Sequence, residues 1–256
     1  MRSNSLKQKL VNHEQTYGCW ITLAHPLIPE ILAPAGFDWL AVDMEHTSID
    51  LNDLLSLLIS IEANGMIPLV RVGENNPNLI KRIMDAGAFG VIIANVCTAK
   101  EAYAAVSAVK YPPLGTRGVG LYRAQAYGKE FENYLKWVEE ESVVIVQIEH
   151  IDAVQKIDEI FSVSGIDAYM IGPYDLSGSL NKPGKFDDPE VKKAIETIIQ
   201  AGKKYNIPAG FHSVSSNPNE AFDRQEQGFI FLAFSTDAIL LADSSILAMK
   251  QIKAKK

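Results

Sequence analysis

Short apolar runs rich in β-branched residues alternate with amphipathic stretches along this chain, and the alternation repeats eight times. The runs fall at about 18–23, 38–43, 67–72, 90–95, 143–149, 167–171, 207–212 and 229–234. Val143-Val144-Ile145-Val146-Gln147-Ile148 is typical. A run this short, with no polar alternation, reads as a strand covered on both faces of a parallel sheet. Between the runs, segments 51–64, 77–86, 99–109, 153–161, 189–205 and 218–227 carry apolar residues at helical spacing, the stripe of a helix packed on one side. Asp152, Asp188 and Asn217 stand where helix N-caps belong. Parallel strands are joined by right-handed crossovers, so eight strand–helix units predict a closed (β/α)8 TIM barrel. A chain of 256 residues with 47% apolar content is the size of one such barrel. No linker or low-complexity tract divides it, so residues 1–256 read as a single domain.

An open doubly wound sheet is the structural alternative, but it normally carries a nucleotide loop. Gly115-Thr116-Arg117-Gly118-Val119-Gly120 is glycine-rich, yet it follows Pro112-Pro113 rather than a strand and does not match the dinucleotide fingerprint. Gly178 and Gly184-Lys185 have the wrong spacing for a phosphate loop. The net charge of −7 and a pI near 5.3 argue against a nucleic-acid partner, which calls for a basic patch. Met1 to Gln15 lacks the apolar core of a signal peptide, and no apolar stretch approaches membrane-span length. Cys19 and Cys97 lie in apolar runs far apart, so two reduced, buried cysteines are expected rather than a disulfide. A cytoplasmic location, without nucleic-acid or membrane partners, is the expectation.

In a closed barrel, chemistry is done at the C-terminal mouth. The strand ends supply Asp43, Glu45 and His46 after strand two, Arg71 on strand three and Asn95 after strand four. Gln147 and Glu149 end strand five, Gly172-Pro173-Tyr174-Asp175 follows strand six, His212 ends strand seven and Ser235 follows strand eight. Four acids, two histidines and an arginine on one rim favour an active site, because buried charge otherwise needs pairing. A purely structural ring of ion pairs is the competing explanation. Glu149 and Asp175 lie just past neighbouring strands, and oxygen ligands favour a hard cation such as Mg²⁺ or Mn²⁺ over zinc.

Six blocks, in order and spanning about residues 18 to 235, resemble the HpcH/HpaI family of class II (metal-dependent) pyruvate aldolases. They are Gly36 to His46, Arg71-Val72, Asp85-Ala86-Gly87-Ala88, Tyr111 to Gly120, Gln147-Ile148-Glu149 and Ile171 to Ser177. The resemblance implies reversible cleavage of a 4-hydroxy-2-oxo acid to an aldehyde and pyruvate, through a metal-stabilised pyruvate enolate. It implies Glu149 and Asp175 as ligands of Mg²⁺ or Mn²⁺, with Co²⁺ a further option. Arg71 would sit beside the enolate oxygen, Gln147 would contact the substrate, and the backbone at Gly172, Pro173, Tyr174 and Asp175 would hold the pyruvate carboxylate. His46 matches the acceptor of the C4 hydroxyl proton, and Asp85 the acid that raises its basicity. Asp43 and Glu45 lie closer to His46 in sequence, and either could orient it. Glu45 also reads as a structural partner of Arg117 or Arg123. A homo-oligomer, commonly a hexamer, is implied, with a C-terminal helix near 244–252 exchanged between neighbours or folded back on its own barrel.

Departures from the family pattern are Ala94-Asn95, Tyr174, His150 and His212. Tyr174 bears on the aldehyde partner, unless its side chain turns away while its backbone keeps the expected contact. Two other functions fit the barrel: a lyase acting on a CoA thioester or phosphorylated C3 unit, and a non-catalytic oxo-acid-binding barrel. The first lacks a basic cluster for a nucleotide phosphate. The second leaves the carboxylate–arginine–histidine set without a task. Schiff-base chemistry needs a lysine in the mouth, and no strand ends in one.

Overall fold

The computed structural model of the protein describes residues 3–254. Eight parallel strands close into a barrel in sequence order: β1 (Thr16–Ile21), β2 (Trp39–Asp43), β3 (Ile67–Val72), β4 (Gly90–Ile93), β5 (Val143–Ile148), β6 (Ala168–Ile171), β7 (Ala209–Ser213) and β8 (Phe231–Thr236). Each observed boundary lies within two residues of its expected place. Side chains alternate across a strand, and two packed layers result. Val42, Val70, Val146, Ile171 and Phe211 face outward beneath the helices. Trp20, Trp39, Leu69, Ile92, Ile145, Met170 and Phe231 fill the barrel interior.

The helices over Pro77–Ala86, Ala99–Val109 and Pro189–Tyr205 match the expected spans. Asp188 and Asn217 cap as expected. Asp152 does not cap: it is the second residue of Ile151–Gln155, whose N-cap is His150, with Nδ1 accepting from Asp152 N–H at 3.1 Å. An N-cap role also explains why histidine stands where the family pattern has a threonine-like residue. The expected helix 153–161 is two short ones, Ile151–Gln155 and Ile157–Phe161, broken at Lys156. Of the cysteines, Cys19 is buried, whereas Cys97 is only half-buried in the loop after β4, and both are free.

A helix not evident from sequence, Ser5–Val11, closes the bottom of the barrel. Its apolar stripe is only two residues, Leu6 and Leu10, both buried in the interior cluster. Lys7 pairs with Asp167 and Lys9 with Asp38, both just ahead of strands. Above this floor Trp39 stacks on Phe231, with ring centroids 4.3 Å apart and 15° between planes. Gly18 lies against the same indole, and a β-carbon there would fall inside the ring. The C-terminal helix spans Asp237–Ala254 and leaves Leu241, Ile246, Leu247, Met249 and Ile252 exposed. It is therefore not folded back on its own barrel. No helix among the described residues is long and apolar enough to cross a membrane.

Removing the Trp39 ring empties the centre of the barrel. Truncating a buried aromatic typically costs about 3–5 kcal/mol, so Trp39→Ala is expected to lower Tm by roughly 10 °C in a chain this long. An unchanged melting curve would show that the Trp39–Phe231 stack contributes nothing to the fold.

Candidate active site

Strand register sets the centre of the site. Asp43 and Arg71 are paired residues of β2 and β3, and alternation turns both inward above Ala41 and Leu69. Arg71 Nε donates to Asp43 Oδ1 at 2.9 Å and Nη2 to Oδ2 at 2.7 Å. This is the bidentate fork that fixes a guanidinium in one plane. The guanidinium carbon lies 4.4 Å from the centroid of the Trp20 ring, a cation–π contact that holds it from the other side. The remaining nitrogen, Nη1, faces Glu45 Oε2 at 3.4 Å.

Burial alone would raise the Asp43 carboxyl, but the Arg71 hydrogen bonds and charge, with the Glu45 and His46 amides, hold it below the usual range. Asp43 is thus Arg71's anchor. The expected partners of Glu45, Arg117 and Arg123, are occupied elsewhere, by Asp85 at 2.5 Å and Glu62 at 2.5 Å. Glu45 instead stands between Arg71 and His46, with His46 Nε2 3.7 Å from Oε2. Burial raises the Glu45 carboxyl against the pull of Arg71 and His46, and Asp43 and Asp175 add to the rise.

His46 is exposed on the loop after β2. Asp85 is not brought to it within the chain. Its carboxylate accepts from Arg117 Nη2 at 2.5 Å and Gln125 Nε2 at 3.3 Å. Asp85 also borders a cavity of about 380 Å³ with Leu51, Leu55, Arg82 and Tyr122 on the helical layer. Arg117 is buried, stacked 4.6 Å from the Tyr111 ring and bonded to the Tyr134 hydroxyl at 3.1 Å. Asp85 therefore belongs to a packed ion pair between helix and loop.

On the opposite side of the mouth, Glu149 is 5% exposed. Its Oε1 accepts from the Asn95 amide at 2.7 Å, and its Oε2 accepts from Gln147 Nε2. Gly172 is needed beside it, since a β-carbon there would strike Glu149 Oε2 and Gln147 Nε2. Gln147 Oε1 is buried without a hydrogen bond. Asp175 lies exposed in the first turn of the helix Pro173–Ser179. Tyr174 is 55% exposed, its ring set edge-on to Phe186 at 4.9 Å, so the side chain turns to solvent. Burial pushes the Glu149 carboxyl up, the charges of Glu45 and Asp175 push further, and the Asn95 and Gln147 donors only partly oppose them, giving about 7.

The mouth is short of positive charge. Arg71 is taken by Asp43, while Glu45, Glu149 and Asp175 act on one another through their charges. No group of three or more His, Cys, Asp or Glu side chains forms a ready metal cage among the described residues. An open site of two carboxylates and free positions suits Mg²⁺, which keeps water and substrate as ligands. The donor set therefore fits a hard divalent cation. Trp20 was missed in the sequence, and Asn95 was placed on the rim without its amide's bond to Glu149. The available signal was parity, since Trp20 falls on the inward face at the C-terminal end of β1.

Residues 16–244 match the family model described as HpcH/HpaI aldolase/citrate lyase. The chain belongs to that family. It is a carbon–carbon lyase. It is 36% identical over 256 residues to the 2-keto-3-deoxy-L-rhamnonate aldolase of Escherichia coli (strain K12), covering 99% of this chain and 95% of the relative. It is 38% identical over 237 residues to the 2-dehydro-3,6-dideoxy-6-sulfogluconate aldolase of Pseudomonas putida, covering 91% and 92%. Among solved structures, an HpcH/HpaI aldolase/citrate lyase family protein from Burkholderia cenocepacia J2315 superposes with a TM-score of 0.93 at 34% identity, over 98% of this chain and 100% of that one.

The raised Glu149 carboxyl carries a pH signature for the metal-free protein. Unfolded, it loses its proton near the ordinary 4.5; folded, it keeps it to about 7. Between those values the folded state binds the extra proton, so this residue's contribution to stability falls as pH rises. Thermal melts in chelator are expected to lose stability from about pH 4.5 to 7 more steeply in the wild type than in Glu149→Gln. Parallel curves would place the Glu149 carboxylate in a solvated setting.

Proposed function

We propose that the chain is a divalent-metal-dependent aldolase that cleaves a 4-hydroxy-2-oxo acid to pyruvate and an aldehyde. The observation that carries the reading is the fixed guanidinium: Arg71 is held by Asp43 and Trp20 with Nη1 left toward the Glu45–Glu149 side of the mouth. Retro-aldol cleavage places negative charge on the C2 oxygen, and a preoriented donor aimed there stabilises it without reorganising. Mg²⁺ or Mn²⁺, with Co²⁺ as a substitute, held by Glu149 and Asp175 would supply Lewis acidity at the same oxygen. Gln147 offers its orphaned Oε1 to the substrate. The Tyr174 and Asp175 amides lie in the first helical turn after Pro173, where no carbonyl within the helix engages them, and they suit the substrate carboxylate. His46, exposed at the rim, takes the C4 hydroxyl proton. Within one chain Glu45 is the carboxylate beside it, and we assign it the orienting role.

The exposed apolar side chains of Asp237–Ala254 support a homo-oligomer in which this helix lies on a neighbour. The two free cysteines support a reducing, cytoplasmic setting.

Chelation with EDTA is expected to abolish cleavage, and Mg²⁺, Mn²⁺ or Co²⁺ to restore it. Full activity in chelator would sink the reading. Arg71→Ala is expected to cost on the order of 10²–10³ in rate, in both aldol cleavage and exchange of the pyruvate methyl protons, since both need the enolate. His46→Ala is expected to lower aldol cleavage by roughly 10²–10⁴. Wild-type cleavage by that variant would move the base role to another group.

A further inference from the structure

Asn95 follows β4 at the mouth, is exposed, and takes a left-handed backbone at φ 50. Most residues avoid that region, and asparagine is among those that enter it at least cost. The turn redirects the amides around it. In a pleated strand successive N–H groups point to opposite neighbours. Ala94 N–H donates to the Val72 carbonyl of β3 at 3.1 Å. Asn95 N–H points the other way, to Glu149 Oε1 at the end of β5, at 2.7 Å. Regular alternation would return Val96 N–H to β3. After the left-handed residue it also turns to β5 and donates to the Gln147 carbonyl at 3.2 Å.

Two successive amides therefore converge on the two β5 residues that the proposed chemistry uses. The turn is tied down from its outer side. Asn95 Oδ1 accepts from the Cys97 thiol at 3.3 Å, and Cys97 N–H donates to Glu101 Oε2 at 2.8 Å, in the first turn of the helix Ala99–Val109. Across the carboxylate, Gln147 Nε2 donates to Glu149 Oε2, so each Glu149 oxygen accepts from one donor. A carboxylate has about four acceptor positions on its two oxygens. The two donors fix its plane and leave capacity for a cation.

We propose that Asn95 is a positioning residue for the cation: its left-handed turn docks the loop on β5 and thereby holds Glu149 in its ligating orientation. The proposal rests on the reading of Glu149 as a metal ligand given above. Asn95 acts through Glu149 rather than on the cation or the substrate. A β-branched residue at 95 takes this backbone only under strain. Val96 N–H then leaves the Gln147 carbonyl, the loop lifts from β5, and the Glu149 carboxylate loses the donor that sets its plane. Glycine enters the left-handed region freely. What the site requires at 95 is thus the turn, and the asparagine side chain is one way to secure it.

The test measures Mn²⁺ affinity of the substrate-free protein by electron paramagnetic resonance titration, for the wild type, Asn95→Val and Asn95→Gly. Loss of a partner that orients a metal ligand typically costs about 10–100-fold in affinity. Asn95→Val is expected to weaken Mn²⁺ at least about tenfold, and Asn95→Gly to bind it as the wild type does. A purely structural role for the side chain would not separate the two variants in this way. Should Asn95→Val not fold, amide hydrogen exchange in the metal-free wild type decides. The Asn95 N–H, on an exposed residue, is expected to be protected there and to exchange faster in Glu149→Ala. Equal affinity in wild type and Asn95→Val, equal weakening in both variants, or an Asn95 amide indifferent to Glu149→Ala overturns the proposal, while Mn²⁺ binding by the wild type leaves the aldolase reading standing. A wild type that binds no Mn²⁺ removes both.

Discussion

The bidentate pair between Asp43 and Arg71 organises everything at the mouth. It exists because β2 and β3 align these two residues in register and turn both inward, and because Trp20 on β1 provides a flat apolar surface beneath the guanidinium. A buried arginine is tolerable only when its donors are met. Two of its nitrogens are met here by Asp43, and the third faces Glu45 across the longer distance of 3.4 Å. The rigid scaffold leaves that nitrogen no alternative direction, which is what preorganisation of a charge-stabilising group means in atomic terms.

The acids around this pair are what support the cation in the function proposed above. Asp43 is neutralised locally, whereas Glu45 and Glu149 are both driven upward by burial and by neighbouring negative charge. A site containing this many oxygen donors and one committed arginine is electrostatically incomplete. The resemblance in the sequence blocks and the excess of negative charge at the barrel mouth both support that reading.

The barrel was legible because its signal is local. Runs of Val and Ile and stripes at helical spacing specify element type and place, and the strand boundaries came out within two residues. The rim was legible too, because strand ends in a parallel barrel all open on one face. Pairings were not. Glu45 meets Arg71 rather than Arg117 or Arg123, and within the chain Asp85 pairs with Arg117, since partner choice depends on register and loop path. Ser5–Val11 escaped notice because two leucines are too few to show a period. Asp152 yielded the cap to His150 because a cap is defined by where the backbone leaves the extended region, and that occurs two residues earlier. Asn95 read only as a departure from the family pattern until its neighbours were known.

The aromatic floor has a consequence for solvent. Leu6, Leu10, Trp39 and Phe231 seal the interior from the N-terminal side, and Trp20 lies above them, so bulk water reaches the reacting carbon from one side alone. On the aldolase reading proposed above, a carbanion formed in such a basin would be protonated from the open face, by groups at the mouth. Facial selectivity in that protonation would then be a property of the plug as much as of the catalytic side chains.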